Sequence, residues 1–297
     1  MLRAMKFTSL VALAASLLLS FTTIPAEAAK KGAGVGGSFK GPVGLQLYSL
    51  RGEFTAYGVP KTLDKVAAYG IKNVELYTTF NLKPAIFRKE LQKRGLKAVS
   101  SHFPYNRLKD DIEGVVADAK ALGIKYAGCA WAAHKGDYDL EECRQNIEVF
   151  NRAGRALAKI GVQFFYHLHG FEFQPHGEGT LADLLIRETD ADAVSFQMDV
   201  LWVVFPGQDP VALLKKYPNR WKLMHVKDLK KGVETGSLAG KTDVKNDAQI
   251  GMGQVDWPAV LKAAKEIGVE QYFLEDESPW AADQIKGSLA YLEKVNF

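Results

Sequence analysis

Imidazole and carboxylate side chains follow four successive apolar runs in the second half of the sequence. They are His167 and His169 after VQFFY, Asp199 after VSFQM, His225 within WKLMHV and Glu275 within QYFLED. If these runs are neighbouring strands, the side chains converge on one point. Nitrogen and oxygen ligands of this kind suit Mn²⁺, Zn²⁺, Co²⁺, Fe²⁺ or Mg²⁺. We therefore predict one divalent metal ion, whose identity the sequence leaves open.

A metal ion with three or four protein ligands and open coordination positions suits chemistry on sugars. It would polarise a carbonyl group that a neighbouring hydroxyl helps to chelate, and so acidify a proton nearby. A purely structural ion is the alternative, although structural zinc sites prefer closed shells that are rich in sulfur.

Further polar and aromatic side chains stand at the ends of apolar runs, where a substrate would contact them. The candidates for substrate binding are Gln46, Tyr48, Glu75, His102, Trp131, Trp202 and Asp228. Lys227 lies two residues after His225, on the same side of a continuing strand, where it would bind a substrate oxygen or stabilise an enolate. A salt bridge of Lys227 with Asp228 or Glu275 is the simpler explanation.

Eight apolar runs alternate with longer stretches of helical periodicity from Pro42 onward. They begin at Val43, Lys72, Lys97, Lys125, Val162, Val194, Trp221 and Gln271. This alternation indicates βαβ units and a parallel sheet. Eight units in about 250 residues match a closed (β/α)₈ barrel, a TIM barrel, better than an open doubly wound sheet. Catalytic groups of such barrels lie where the strands end, which is where the polar residues fall.

The first 28 residues have the organisation of a secretory signal. Arg3 and Lys6 precede the apolar run 9–21, and the small residues around Ala28 form a cleavage site. We predict a signal peptide over residues 1–28 and export to the periplasm or the exterior. The apolar run is shorter than the roughly 20 residues that span a bilayer, so no membrane span is expected. An uncleaved anchor is the alternative.

The rest of the chain is predicted to form one domain. Residues 29–41 are glycine-rich and predict a flexible lead-in, and residues 42–297 predict the barrel. The polar loop 230–249 is long for its place after the seventh strand and predicts a lid or rim, with an idle insertion as the alternative. Cys129 and Cys143 fall in different kinds of element, so two separate thiols are preferred to a disulfide.

Charge excludes one class of partner. The net charge is +4, and the basic residues form no block, which argues against nucleic acid. The expected partner is a small carbohydrate. The oligomeric state is left open, a homo-oligomer included.

From Pro42 to the C-terminus the sequence resembles the xylose isomerase-like superfamily of sugar phosphate isomerases and epimerases. The motifs that carry the resemblance are YHLHGFEF (166–173), QMDVLWVVFPGQDPVALLKKYPNRW (197–221), LMHVKD (223–228), GMGQVDWPAVLKAAKEIG (251–268) and YFLEDE (272–277). The resemblance implies that Asp199, His225 and Glu275 hold the metal with one residue of the fifth strand. It also implies that His102 contacts the substrate.

The fifth strand departs from the pattern of the ketose epimerases. Their Glu at this place is replaced by His167, which becomes the expected ligand, with Glu172 as the competing candidate. Those enzymes use that Glu and the eighth-strand Glu as two bases on opposite faces of the substrate. Either Glu172 supplies the missing base, or the reaction needs one base only.

These observations predict a metal-dependent sugar isomerase or epimerase that removes a proton alpha to a carbonyl. Glu275 would be a ligand and base, and Glu172, His169 or Lys227 would assist. Export makes a phosphorylated substrate improbable, because sugar phosphates are cytoplasmic metabolites. One alternative is a lyase that acts on 3-keto-glycosides by β-elimination. The other is a barrel that binds carbohydrate without catalysis.

Overall fold

The structure is a computed structural model that describes residues 32–297, and its centre is a closed barrel of eight parallel strands. The strands are β1 Val43–Gln46, β2 Asn73–Leu76, β3 Lys97–His102, β4 Tyr126–Cys129, β5 Gln163–His167, β6 Val194–Asp199, β7 Trp221–Val226 and β8 Gln271–Leu274. Each strand pairs with the next along the chain, and β8 pairs with β1. The prediction of a (β/α)₈ barrel is confirmed.

Helices surround the barrel on the outside. Within residues 32–297 they are α1 Arg51–Ala68, α2 Pro84–Gln92, α3 Tyr105–Asp110, α4 Ile112–Leu122, α5 Leu140–Ala158, α6 Leu181–Glu188, α7 Val200–Val204, α8 Pro210–Lys216, α9 Trp257–Ile267 and α10 Ala281–Lys294. Helix α1 is broken at Gly58, which has a φ of 76°. In this part of the chain, every helix is too short or too polar to cross a membrane.

Aromatic rings fill the barrel interior below the strand ends. Phe165 and Phe273 belong to a buried cluster inside the barrel. A Cβ atom at Gly128 would lie 2.5 Å from the Phe165 ring, and one at Gly44 would lie 2.6 Å from the Phe273 ring. These two strand positions therefore require glycine. Because side chains alternate along a strand, the residues two positions after each Phe, His167 and Glu275, form the next layer up.

The described part of the predicted lead-in packs on the barrel. Phe39 is only 3% exposed, and its ring lies edge-on to the ring of Tyr272 at 5.0 Å. The backbone N–H of Gly34 donates to Oε1 of Glu293 at 3.1 Å. Residues 32–41 therefore pack on the barrel, because Phe39 supplies apolar surface within this glycine-rich stretch. The predicted signal peptide lies outside the described residues and stays a prediction.

The two cysteines are separate. Cys129 lies on β4 and Cys143 on α5, and both are buried free thiols. Burial raises the pKa of Cys129 to about 12 and that of Cys143 to about 11. The preference for two unpaired thiols is confirmed.

Candidate active site

A cavity of about 580 Å³ opens at the C-terminal ends of the strands. This volume lies within the range typical of sites for small molecules. Nine of the predicted site residues line it: Gln46, Tyr48, His102, Trp131, His167, His169, Trp202, His225 and Glu275. Residues chosen because they end predicted strands therefore lie around one cavity.

Three predicted ligands meet at the buried end of the cavity. Nδ1 of His225 lies 3.0 Å from Oε2 of Glu275 and 3.5 Å from Oδ2 of Asp199. Nε2 of His167 lies 3.9 Å from the same Asp199 oxygen. Nδ1 of His225 and Oδ2 of Asp199 are buried and have no hydrogen-bond partner in the described chain. Unpaired buried polar atoms are costly, so this donor set fits a cation held between them.

The side chains of the predicted ligands are anchored through their remaining polar atoms. Oδ1 of Asp199 accepts a hydrogen bond from the backbone N–H of Trp202 at 3.2 Å, at the start of α7. Nε2 of His225 lies 2.5 Å from Oε1 of Glu75. Such outer partners orient metal ligands and are a regular part of metal sites in proteins.

Charges in the cluster are strongly coupled. Burial disfavours the imidazolium of His225, but Glu275 and Glu75 raise its pKa well above the usual value. Burial alone would raise the pKa of Glu275, but Lys227 and His225 hold it well below the usual value. For His167, burial and the neighbouring imidazoles lower the pKa well below the usual value. A neutral His167 beside ionised carboxylates is the state in which these groups bind a metal.

Glu75 lies beneath the cavity and does not line it. It is fully buried, and its oxygens accept hydrogen bonds from Gln46 Nε2 at 2.8 Å and Ser100 Oγ at 2.5 Å. Nε2 of Gln197 donates to both oxygens at 3.1 and 3.0 Å. The expectation that Glu75 contacts the substrate is therefore wrong, because its carboxylate is enclosed by protein donors.

Gln197 is a central residue that sequence reasoning missed. It lies two positions before Asp199 on β6, so both side chains point into the barrel. Its Oε1 lies 3.1 Å from Nε2 of His102 and 3.0 Å from Nδ1 of His167. The sequence did contain a sign of this role. Gln197 is a polar residue in an otherwise apolar strand, and it lies two positions before Asp199, so the two side chains share one face.

Glu172 is neither a metal ligand nor a base in this arrangement. It is fully buried, and Oε1 accepts a hydrogen bond from the Tyr166 hydroxyl at 2.5 Å. The backbone N–H of His169 donates to both carboxylate oxygens at 3.1 and 3.0 Å. Burial raises the pKa of Glu172 to about 7. The enclosed carboxylate of Glu172 thus argues against its catalytic assignment and fixes the chain at His169, while His167 stays the predicted fifth-strand ligand.

Asp228 also lies away from the cavity. Its carboxylate accepts hydrogen bonds from the backbone N–H groups of Gly251 at 2.9 Å and Gly253 at 3.1 Å, and from Nε1 of Trp257 at 2.9 Å. The expectation of substrate contact is wrong because Asp228 follows Lys227 directly, and successive side chains of a strand point to opposite faces.

Lys227 is buried behind the cavity wall. Its Nζ lies 3.4 Å from Oε2 of Glu275 and 2.5 Å from Oε1 of Glu277. Oδ2 of Asp247 lies 3.8 Å away. The salt bridge with Glu275 is present, and Lys227 acts on the site through that carboxylate. Glu277 and Asp247 line the cavity and were missed by sequence reasoning.

An aromatic wall forms the open side of the cavity. Trp131 is 38% exposed, and its ring lies 5.0 Å from the rings of His169 and Phe171 and 5.3 Å from that of His134. These neighbours hold the indole in place. Tyr77 and Tyr105 also line the cavity and were not predicted.

The loop 230–249, which we call the strap, forms part of the cavity wall. Its members Gly240, Lys241, Thr242, Val244 and Asp247 line the cavity. A Cβ atom at Gly240 would lie 2.5 Å from the ring of Phe171 and 2.9 Å from that of Trp131. The strap is therefore a closely packed rim and not an idle insertion.

Comparison with known proteins identifies the family. The family model named Xylose isomerase-like TIM barrel matches residues 63–295. The chain belongs to this family. The resemblance drawn from its motifs is confirmed.

Individual relatives support the same assignment. An inosose dehydratase of Clostridium botulinum is 24% identical in an alignment of 274 positions that covers 80% of this chain and 89% of that protein. A sugar phosphate isomerase/epimerase of Parabacteroides distasonis has a TM-score of 0.68 and 27% identity, covering 84% of this chain and 93% of that one. The IolI protein with a bound zinc atom has a TM-score of 0.66 at 16% identity, covering 84% and 95%, and shares the fold. The prediction of an enzyme in this family is confirmed.

Proposed function

We propose that this family member is a metal-dependent enzyme that removes a proton from the carbon next to a carbonyl group of a non-phosphorylated carbohydrate. The observation that supports this best is the pair of unpartnered buried atoms, Nδ1 of His225 and Oδ2 of Asp199, beside the carboxylate of Glu275. Metal-ligating groups in a cavity open to small molecules are the usual sign of a catalytic centre.

Asp199, His225 and Glu275 would hold the ion, with His167 as the fourth ligand. When bound, such an ion supplies Lewis acidity toward a substrate carbonyl. All the donor atoms are nitrogen or oxygen, which suits Zn²⁺, Mn²⁺, Co²⁺, Fe²⁺ or Mg²⁺. The bound zinc of the similarly folded IolI protein makes Zn²⁺ the first ion to test.

Side chains of the cavity would hold and move the proton. Glu275 is the proposed base, because it lines the cavity and Lys227 keeps its carboxylate ionised. His169 also lines the cavity, between Trp131 and Trp202, and would bind the oxygen that departs. His102 would bind a substrate hydroxyl.

Elimination is the favoured outcome after proton removal. Epimerisation with two bases needs a second carboxylate, but the fifth strand offers His167, and Glu172 is enclosed by Tyr166 and the backbone of His169. The relative named inosose dehydratase supports an elimination. A 3-keto-glycoside fits this reading, because loss of the proton next to its ketone expels the aglycone. Isomerisation is the second candidate, supported by the similar sugar phosphate isomerase/epimerase.

The charges of the cavity favour a substrate without phosphate. Among the described residues that line it, Lys241 is the one lysine or arginine, and its Nζ lies 5.7 Å from the centre of the Trp131 ring. Lys227 is buried against Glu275 and Glu277. A phosphate group would lack the cluster of cationic donors that usually binds it. Export after cleavage at Ala28 is part of this proposal, and mass spectrometry of the mature N-terminus tests it.

The test combines metal analysis with NMR. Purified protein is assayed for bound metal, then incubated in D₂O with free keto-sugars and 3-keto-glycosides, with and without a chelator. Release of an aglycone that the chelator prevents would support elimination. Deuterium incorporation without release would support isomerisation. Bound metal with neither reaction would refute both for these substrates and favour a barrel that binds carbohydrate without catalysis.

A further inference from the structure

Glu75 is a buried carboxylate whose neighbours all donate hydrogen bonds to it. The donors are Nε2 of Gln46, Oγ of Ser100, Nε2 of Gln197 and Nε2 of His225. Oε1 of Gln46 accepts from the backbone N–H of Tyr48 at 3.1 Å, which fixes the direction of that amide. An ionised carboxylate only accepts hydrogen bonds, so each group that faces Glu75 must present a proton.

This requirement fixes the direction of the Gln197 amide. Its NH₂ group faces Glu75 at 3.1 and 3.0 Å, so its carbonyl oxygen faces the opposite way. That oxygen lies 3.1 Å from Nε2 of His102 and 3.0 Å from Nδ1 of His167. Because an amide oxygen only accepts hydrogen bonds, both ring nitrogens must carry a proton.

We infer that Glu75 and Gln197 together select the tautomers of His102 and His167 and direct the Nε2 proton of His225 toward Glu75, so that the site is ready to receive a metal ion. His102 and His225 are protonated at Nε2, and His167 is protonated at Nδ1. The nitrogens left for ligation are Nε2 of His167 and Nδ1 of His225, at 3.9 and 3.5 Å from Oδ2 of Asp199. Gln197 is thus a positioning residue that acts through His102 and His167.

The effect of these tautomers on metal binding rests on the proposed function, but the tautomers themselves do not. The tautomers of His102 and His167 follow from hydrogen bonds within the chain and are measurable in the metal-free protein. A ring in the other tautomer would point N–H at the ion, and loss of an outer partner typically lowers metal affinity about 10- to 100-fold.

The first test is a two-bond ¹H–¹⁵N NMR spectrum of the metal-free wild-type protein. The chain has six histidines, and single His→Gln variants assign their signals. We expect His167 as the Nδ1–H tautomer and His102 as the Nε2–H tautomer. The opposite tautomer at either ring, or an equal mixture, would overturn the inference whether or not any variant folds.

The second test is Gln197→Met, with Gln163→Met as the matched control. Gln163 begins β5, and its Nε2 donates to the carbonyl oxygens of Phe164 at 3.3 Å and Ala193 at 3.1 Å, away from the imidazoles. Gln197→Met should give mixed tautomers at His167 and bind Zn²⁺ about 10- to 100-fold more weakly. His102 should keep its tautomer, because its Nε2 also lies 3.4 Å from Oε1 of Glu75. The control should change neither the His167 tautomer nor the affinity. Weaker binding with unchanged tautomers would mean that Gln197 acts by packing, and the inference would fail.

A third variant tests transmission through the network. Glu75→Gln places an NH₂ group among donors, so the Gln197 amide loses its fixed direction. The tautomer of His167 should then become mixed although His167 and Glu75 share no hydrogen bond. A fixed His167 tautomer in Glu75→Gln would contradict the inference. If the tautomers behave as expected and the wild type binds no divalent metal, the proposed function fails while the selection of tautomers stands.

Discussion

Nδ1 of His225 lies 3.0 Å from Oε2 of Glu275, yet the two atoms are not aligned for a hydrogen bond. Oδ2 of Asp199, at 3.5 Å from the same nitrogen, is also unpaired. Buried polar atoms that are left without a hydrogen bond are unfavourable. A cation between the three side chains would compensate all of them, which leads to the first prediction.

Asp199→Asn should lower the affinity for Zn²⁺ by more than the roughly 100-fold typical of losing an outer partner, because it removes a proposed ligand charge. The amide oxygen can still accept from the Trp202 backbone, so the start of α7 is preserved. A competition titration with a coloured chelator measures the affinity. Asp228→Asn is the control, since it alters a buried carboxylate outside the cavity. Equal affinity in wild type and Asp199→Asn would refute this ligand assignment.

The sequence was sufficient to predict the barrel and the location of the site. Apolar runs between helical stretches predicted all eight strands, and parallel strands bring their carboxyl ends to one rim. Asp199, His225 and Glu275 end three of these runs and meet there. Side chains alternate along a strand, so residues two positions before or after a predicted ligand also point inward. This rule would have identified Gln197, two positions before Asp199.

The failures share a physical cause. Glu75 and Asp228 stand at strand ends, but their side chains are enclosed by donors from distant parts of the chain, such as Gln197 and Trp257. Glu172 is engaged by Tyr166, six residues earlier, after the chain has turned back. The pairings of Asp228 and Glu172 depend on the path of loops, for which the sequence has no periodic signal. That of Glu75 joins two strands across the barrel, and the pattern of one strand does not reveal its partner.

The second prediction concerns Glu172 and pH. Burial raises its pKa to about 7, whereas an unfolded chain has a value of about 4.3. Between these values the folded state holds a proton that the unfolded state has lost, so stability falls as pH rises through this window. Glu172→Gln should remove that decline, which amounts to on the order of 1.4 kcal/mol per pH unit.

Urea unfolding at pH 5, 6, 7 and 8 measures the effect in the variant and in wild type. Glu266→Gln, an exposed change on α9, is the control and should keep the wild-type slope. The same variant separates two roles of Glu172. Loss of substrate deuterium exchange in a stable Glu172→Gln protein would restore this residue as a base.

The third prediction concerns a group of ion pairs around Glu270, at the end of the barrel opposite the cavity. Oε2 of Glu270 lies 2.6 Å from Nζ of Lys125 and 2.5 Å from the Tyr126 hydroxyl, and Oε1 lies 3.2 Å from Nζ of Lys222. Burial would raise the pKa of Glu270, but these partners lower it to about 2. The stabilisation is therefore complete above the unfolded value near 4.3 and is lost as pH falls toward 2.

Because these groups are partly exposed, Glu270→Gln should cost only about 0.5 to 1 kcal/mol of unfolding free energy at pH 7. The difference from wild type should shrink below about pH 3, as unfolding curves at both pH values would show. Turnover should be unchanged, since the N-terminal face of such barrels carries stability and not chemistry. A large loss of turnover in a fully folded Glu270→Gln protein would contradict the view that this end of the barrel serves stability alone.

The last prediction concerns the aromatic wall. The Trp131 ring is held by Phe171 and His134 and faces the cavity, so it offers a flat surface against which a second ring of the substrate would stack. Stacking of this kind is worth about 0.5 to 1.5 kcal/mol, so Trp131→Ala should raise KM for a 3-keto-glycoside roughly 2- to 10-fold. Deuterium exchange of a single-ring keto-sugar should change little, because that substrate would contact the proposed metal ligands and not Trp131. Trp280→Ala, which removes an exposed indole outside the cavity lining, is the matched control. Equal losses on both substrates would show that Trp131 shapes the whole site, and no loss on either would remove it from the binding surface.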